Sequence, residues 1–181
     1  MTQSVELLLD DAADRDIRAQ WNLLGDAGLP TSRRVQPSPS HAPHVTLWAG
    51  DLVDPADDQA LPGLFADLDL ELVVGNLLLF GPRRSGYVLV RQTVASAALL
   101  DLQQRVVGTL RTRAYPGFED GRWTPHVTLA RRVGLDQVGP SLAVLAGSPP
   151  ELNTRVRQAR RWDSDRRQTW LLTPPTSVTS A

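Results

Sequence analysis

The sequence predicts an α+β fold of two pseudo-symmetric lobes, with antiparallel sheets flanked by helices and a cleft between the lobes. Three observations carry this expectation. One string of five residues occurs twice, as Pro43-His44-Val45-Thr46-Leu47 and Pro125-His126-Val127-Thr128-Leu129, 82 residues apart (126 − 44). Each half of the chain reads strand, helix, motif strand, helix, strand, the order an internal duplication would leave. The 181 residues, 41% hydrophobic and 22% charged, suit a single globular domain with a full core. Residues 1–181 are therefore read as one domain, with pseudo-repeats at about 1–85 and 86–172 and a loose tail at 173–181.

The elements follow in order. Ser4–Asp10 is an apolar strand. From Asp14 to Ala27, Ile17, Trp21 and Leu24 recur at helical spacing, and Gly25, Gly28 and Pro30 close the helix. Pro30–Pro43 is a loop rich in Pro, Ser and Arg that leads into the first motif, either a cover over a site or a plain surface connection. Asp54-Pro55 pairs an N-cap with a first-turn proline and opens a short helix ending near Pro62 or Leu68. Asp69–Phe80 is a buried strand or bent hairpin, and Gly81–Gly86 turns into a strand over Tyr87–Val94. Ser96–Ala114 places Leu99, Leu102 (or Gln103), Val106 and Leu110 on one helical face, stopped by Tyr115-Pro116-Gly117. Arg122–Arg131 holds the second motif strand, Leu135–Ala146 a helix, and Val156–Leu172 one or two closing strands.

The repeat carries the chemistry. On a strand, residues i and i+2 share a face. Each copy therefore presents imidazole and hydroxyl together while Val and Leu face the core. Packing needs only the Val/Leu face and gives no reason to repeat His and Thr. Two such strands side by side would assemble two imidazoles and two hydroxyls, which outlines a phosphoester-cleaving site.

Composition removes several chemistries. There is no Cys, which excludes disulfides, thiolate nucleophiles and Cys-ligated metals. All nineteen basic residues are Arg. Nucleotidyl transfer through a lysine amine, Schiff bases and a phosphate-loop lysine are thereby excluded. The net charge of −1 argues against coating nucleic acid through an overall field, while a local Arg cluster remains compatible with an RNA end or a nucleotide. No apolar run approaches the ~20 residues of a membrane helix, and the N-terminus lacks a secretion signal, so a cytoplasmic protein is expected. His41 and His44 are three apart, on opposite faces of a strand, and no further ligand cluster completes a metal site. No metal and no cofactor are expected.

The paired H-x-T strands resemble those of the 2H phosphoesterases, in the bacterial branch described as 2′-5′ RNA ligase-like or RNA 2′,3′-cyclic phosphodiesterase. The spacing and the order of elements agree along most of the chain. An Arg often follows the second motif five positions after its His, and Arg131 stands there. The first motif departs from the pattern, because Trp48-Ala49-Gly50 comes one position early. The resemblance implies a substrate bearing a 2′,3′-cyclic phosphate, on RNA ends or small nucleotides, opened to a 2′-phosphate. It also implies an ATP-independent reverse joining of a 5′-hydroxyl and a place in RNA processing. Neither DNA nor a membrane is expected as a partner, and a monomer is the default.

One neutral His would take a proton from water while a protonated His gives one to the leaving oxygen. The threonines would donate to the non-bridging oxygens. His126 is read as base and His44 as acid, although the near-symmetry of the motifs leaves the two interchangeable. Trp48, two residues beyond Thr46, either stacks on a base or fills the core. Arg131 lies one residue off the His face and reaches a phosphate only if the strand ends or bulges. The rival readings are a non-catalytic module that holds RNA ends or nucleotides, and a phosphodiesterase for 2′-5′ oligonucleotides or another cyclic phosphate metabolite.

Overall fold

In the computed structural model, residues 2–36, 38 and 40–174 are described, so the expected tail lies outside the described residues from 175 onward. The elements are β1 (Gln3–Leu8), α1 (Asp11–Asp26), β2 (His44–Gly50), α2 (Pro55–Leu64), β3 (Leu70–Arg83), β4 (Gly86–Thr93), α3 (Ala97–Thr109), β5 (His126–Val133), α4 (Leu135–Leu145), β6 (Leu152–Val156), β7 (Gln158–Asp163) and β8 (Gln168–Leu171).

Three helices begin on side-chain caps. Asp10 accepts from Ala13 N at 3.0 Å, Asp54 from Ala56 N at 2.8 Å, and Ser96 from Leu99 N at 3.3 Å. Each satisfies an amide that the first turn leaves without an intrahelical partner. The faces read from periodicity are the buried ones. Ile17, Trp21 and Leu24 bury from α1, while Leu99, Leu102, Gln103 and Val106 bury from α3.

All eight strands form one antiparallel sheet in the order β6-β3-β4-β5-β2-β1-β7-β8. The two motif strands are central, and they meet at a single register pair, Val45 with Val127. The expected α+β architecture of antiparallel strands and flanking helices is present, with the strands of both lobes joined in one sheet at a narrow seam. The sheet's halves do not follow the halves of the chain. β3 joins the half built on β5, and β7 joins the half built on β2. The helices cross in the same manner, with α1 packing on β5, β6 and α4, and α3 on β2 and α2.

Several boundaries differ from expectation. α3 stops at Thr109, because Asp57 on α2 draws the next turn away by accepting from Arg111 N at 2.9 Å and Arg111 Nε at 2.8 Å. The chain then crosses the end of β2, where Tyr115 N donates to Ala49 O at 2.8 Å. β5 begins at His126, since Thr93 N takes the Pro125 carbonyl at 2.9 Å and the residues before it run as a loop. The C-terminal stretch forms three strands, the first of them starting at Leu152. The hairpin expected at Gly81–Gly86 is a two-residue turn at Arg84-Ser85. Gly86 at its exit has φ 101°, and a Cβ there would lie 2.5 Å from the Val133 carbonyl oxygen, so only glycine fits. No helix among the described residues is long and apolar enough to cross a membrane.

Candidate active site

The seam brings the two motifs together. In β2, Val45 and Leu47 are buried while His44 and Thr46 are half-buried. β5 repeats the pattern with Val127 and Leu129 against His126 and Thr128. Each strand then bulges at the same place. Glu6 pairs with Thr46 and Val5 with Trp48, leaving Leu47 extra. Val90 pairs with Thr128 and Leu89 with Ala130, leaving Leu129 extra. A bulge inserts one residue and reverses the faces beyond it.

The two bulges decide the two candidates beyond the motifs. In β5 the reversal puts Arg131 on the face of His126 and Thr128, and it lines a cavity with both. In β2 the same reversal turns Trp48 away from His44, and its indole is 0% exposed. Trp48 is therefore a core residue with no face for a base, which corrects the stacking expectation. Its counterpart in β5 is the equally buried Ala130, and the counterpart of Arg131 is Ala49.

Both imidazoles are oriented alike. His44 Nδ1 lies 2.7 Å from the Ala42 carbonyl and His126 Nδ1 lies 2.8 Å from the Thr124 carbonyl. A carbonyl only accepts, so each Nδ1 carries a proton and the two rings share one orientation on their strands. Two cavities flank the seam. One, of about 370 Å³, is lined by Phe80, Phe118, Thr124, His126, Thr128 and Arg131 among others. The other, of about 200 Å³, is lined by Trp21, Arg34, His41, His44, Thr128 and Arg131 among others. Thr128 and Arg131 belong to both, so the cavities form one cleft across β2 and β5. Thr46 keeps the face of His44 but lines neither cavity.

Aromatic rings and charges frame this cleft. The Phe80 ring meets His126 edge-on, with centroids 4.8 Å apart, and Trp21 stacks on His41 at 5.0 Å with the Arg18 guanidinium also over its ring. Burial, followed by the charges of Arg34, His44 and Arg18, holds His41 below its ordinary value despite the hydrogen bond to Ser32 O. Burial pushes the Glu6 carboxyl up, but His44 and Arg160 together with hydrogen bonds from Ser4 and Arg160 outweigh it and leave the group lowered and ionised.

Sequence reasoning missed Glu6, Phe80, Phe118, Trp21 and Trp123 as parts of this region. Glu6 left one usable signal, a carboxylate inside an apolar strand at the spacing of Ser4. Most of the C-terminal arginines are held by carboxylates, one of them Glu6 itself. Arg160 pairs with Glu6, Arg161 with Asp58, Arg155 and Arg157 with Asp69, and Arg166 with Asp163.

Comparison with known proteins agrees with this architecture. No curated protein sequence matches the chain. The model of the 2′-5′ RNA ligase superfamily matches residues 10–168. Among solved structures, the protein TT0787 of Thermus thermophilus is 18% identical with a TM-score of 0.58, over 95% of this chain and 95% of that one. E. coli LigT complexed with 3′-AMP is 17% identical at 0.54, over 93% and 92%. Kluyveromyces marxianus Usb1 with uridine monophosphate is 9% identical at 0.51, over 94% and 97%. With the family match spanning nearly the whole of the folded chain, this protein belongs to the 2′-5′ RNA ligase superfamily, the 2H phosphoesterases.

Proposed function

We propose that the protein hydrolyses 2′,3′-cyclic phosphates, at RNA ends or on nucleotides, to 2′-phosphates without a metal ion. The observation that carries this reading is the matched pair of imidazoles. Each is held through Nδ1 by a carbonyl two residues earlier, and both open on one cleft with Thr128 and Arg131. Ring opening needs a base for the attacking water and an acid for the leaving ribose oxygen in the same step. Two histidines supply both. The water oxygen bonds to phosphorus as the P–O3′ bond breaks; one Nε2 takes the water proton and the other gives its proton to O3′.

Charge on the phosphoryl oxygens grows in the transition state. Thr128 and Thr46 supply hydroxyl donors and Arg131 supplies a fixed positive charge. The cavity beside His126, with the Phe80 and Phe118 rings in a wall that also carries polar and charged side chains, is of a size suited to a nucleobase. LigT holds 3′-AMP and Usb1 holds uridine monophosphate, which supports a ligand of nucleotide size here. The reverse reaction would join a 5′-hydroxyl to the cyclic phosphate through the same groups and without ATP. In water, hydrolysis dominates by mass action.

Phosphorus NMR tests the reading. The protein is given each 2′,3′-cyclic nucleotide and a short RNA ending in a cyclic phosphate, with EDTA present. A 2′-phosphate that is absent with the His126→Ala protein is the expected result. Intact substrates throughout would reject the reaction and turn attention to 2′-5′ linkages and to a module that only binds.

A further inference from the structure

Trp21, Arg34 and His41 line the cavity beside His44 and also a further cavity of about 530 Å³, between α1 and the loop that precedes β2. The larger cavity is completed by Arg18, Asn22, Arg33 and Ser38. The cleft across β2 and β5 therefore continues past His44 as a groove. Its wall carries three arginines, an amide and a hydroxyl, and among the described residues no carboxylate lines it. In a chain of net charge −1 this is a local concentration of positive groups.

Two of the arginines are set in place from behind. Arg18 gives Nε and Nη2 to Asp14, one turn back on α1, gives Nη2 also to the His41 carbonyl at 3.1 Å, and lies over the Trp21 ring. Arg33 gives Nη1 to Asp26 and lies against Gly25, where a Cβ would come 2.6 Å from the guanidinium carbon. A side chain at position 25 would displace it. Asp14 and Asp26 thus orient the two guanidinium groups without entering the groove wall. Trp21 is 4% exposed and offers a base no face, so the groups that reach the groove are mainly donors. Donors of this kind meet the backbone of a strand and carry no sequence information.

We propose that this groove binds backbone phosphates of the RNA strand leading up to the cyclic end, so that the substrate is a polynucleotide and not a mononucleotide. This rests on the hydrolysis reading above. A ribose carries its base on C1′ and the rest of the strand on C4′, on either side of the ring oxygen, while the cyclic phosphate spans the opposite edge. With the base beside His126 and the cyclic phosphate at the seam, the 5′ arm runs past His44 into the groove. Arginine suits a phosphate because its planar fork presents parallel donors to two oxygens. Arg18 and Arg33 lie away from the reacting atoms, so they act on capture of the strand.

Steady-state kinetics with a cyclic mononucleotide, a dinucleotide and a hexanucleotide, all ending in the same cyclic phosphate, test the groove. The hexanucleotide should have a kcat/KM at least about tenfold above the mononucleotide, gained through KM. Its logarithm should also fall more steeply with the logarithm of salt concentration, by about 0.7 for each phosphate held. Arg33→Gln should shrink the ratio of hexanucleotide to mononucleotide, and Asp26→Asn, which removes the carboxylate behind Arg33, should enlarge it. A purely structural ion pair would move both variants in the same direction. That outcome, or equal kcat/KM for the three wild-type substrates, would overturn the proposal. Should no cyclic phosphate turn over, the hydrolysis reading fails, and fluorescence anisotropy with a labelled hexanucleotide ending in a 3′-phosphate decides the groove by itself. Weaker binding by Arg33→Gln with tighter binding by Asp26→Asn supports it, and binding unchanged in both rejects it.

Discussion

Trp123 donates its indole N–H to the carbonyl of Thr46 at 3.0 Å, and Trp21 donates to the carbonyl of Thr128 at the same distance. Each tryptophan braces the motif that lies in the other half of the sequence. The ladder between β2 and β5 is one residue pair long, so the sheet itself does little to hold these carbonyls. The indoles take the place of the missing rungs and set how the H-x-T strands lie against one another.

Replacing either tryptophan with Phe keeps most of the ring and deletes the donor. Each change should lower unfolding free energy by about 1–3 kcal/mol, the cost of leaving a buried carbonyl unpaired. Turnover should fall more than stability, because both histidines hang on these strands. Urea titration beside steady-state kinetics separates the two effects, and full activity in both variants would deny the braces any part in positioning.

His44→Ala and His126→Ala should each lose roughly 10²–10⁴ in turnover with circular dichroism unchanged. Thr128→Val should lose on the order of 10²-fold through kcat. Turnover should persist in EDTA and follow a bell-shaped pH profile. Abolition by the chelator would contradict the metal-free scheme.

The bulges make opposite predictions for the two residues they redirect. Trp48→Phe should leave KM unchanged, since that ring is sealed in the core, and Trp48→Ala should cost about 3–5 kcal/mol of stability. Arg131→Gln should raise KM and lower kcat. Kinetics and thermal unfolding of the three variants give the comparison.

Acid sensitivity has an identifiable contributor at the junction of β3 and β6. Asp69 receives both Arg155 Nε and Nη2, the latter at 2.6 Å, and these hydrogen bonds, with the charges of Arg155 and Arg157, lower its carboxyl to about 2. A carboxyl depressed in the folded state stabilises the fold above its unfolded value of about 3.9, and that contribution disappears as the pH falls through about 2. The difference in urea midpoint between wild type and Asp69→Asn should therefore shrink between pH 5 and pH 2. A constant difference would assign the effect of Asp69 to something other than its charge.

Much of this molecule is legible from residue order. Period and capping place α1 and α2 closely, because Ile17, Trp21 and Leu24 form one face and Asp54-Pro55 is a strong start. The motif pair is legible because two copies of His and Thr have no packing explanation. What is not legible depends on one-residue insertions and on partners distant in the chain. Strict alternation puts Trp48 with His44 and leaves Arg131 out, and a bulge that no local residue announces reverses both. α3 is overestimated because Leu110 continues the apolar period while the Asp57–Arg111 contact, made from another helix, ends it. Glu6 and Arg160 are 154 residues apart, so their pairing is a property of β1 lying beside β7.

The crossing of β3 and β7 bears on how the chain reaches its folded state. Cleavage at the exposed Arg84-Ser85 turn would leave an N-terminal piece whose β3 lacks both β4 and β6, and a C-terminal piece whose β7 lacks β1. Each fragment would carry one motif imidazole and an unpaired apolar edge prone to association. Neither is a folding unit, yet each is the template for the other, so the two should complement when mixed. In the intact chain, closing β1 onto β7 must wait for nearly the whole polypeptide, which makes this a slow-folding topology for its size.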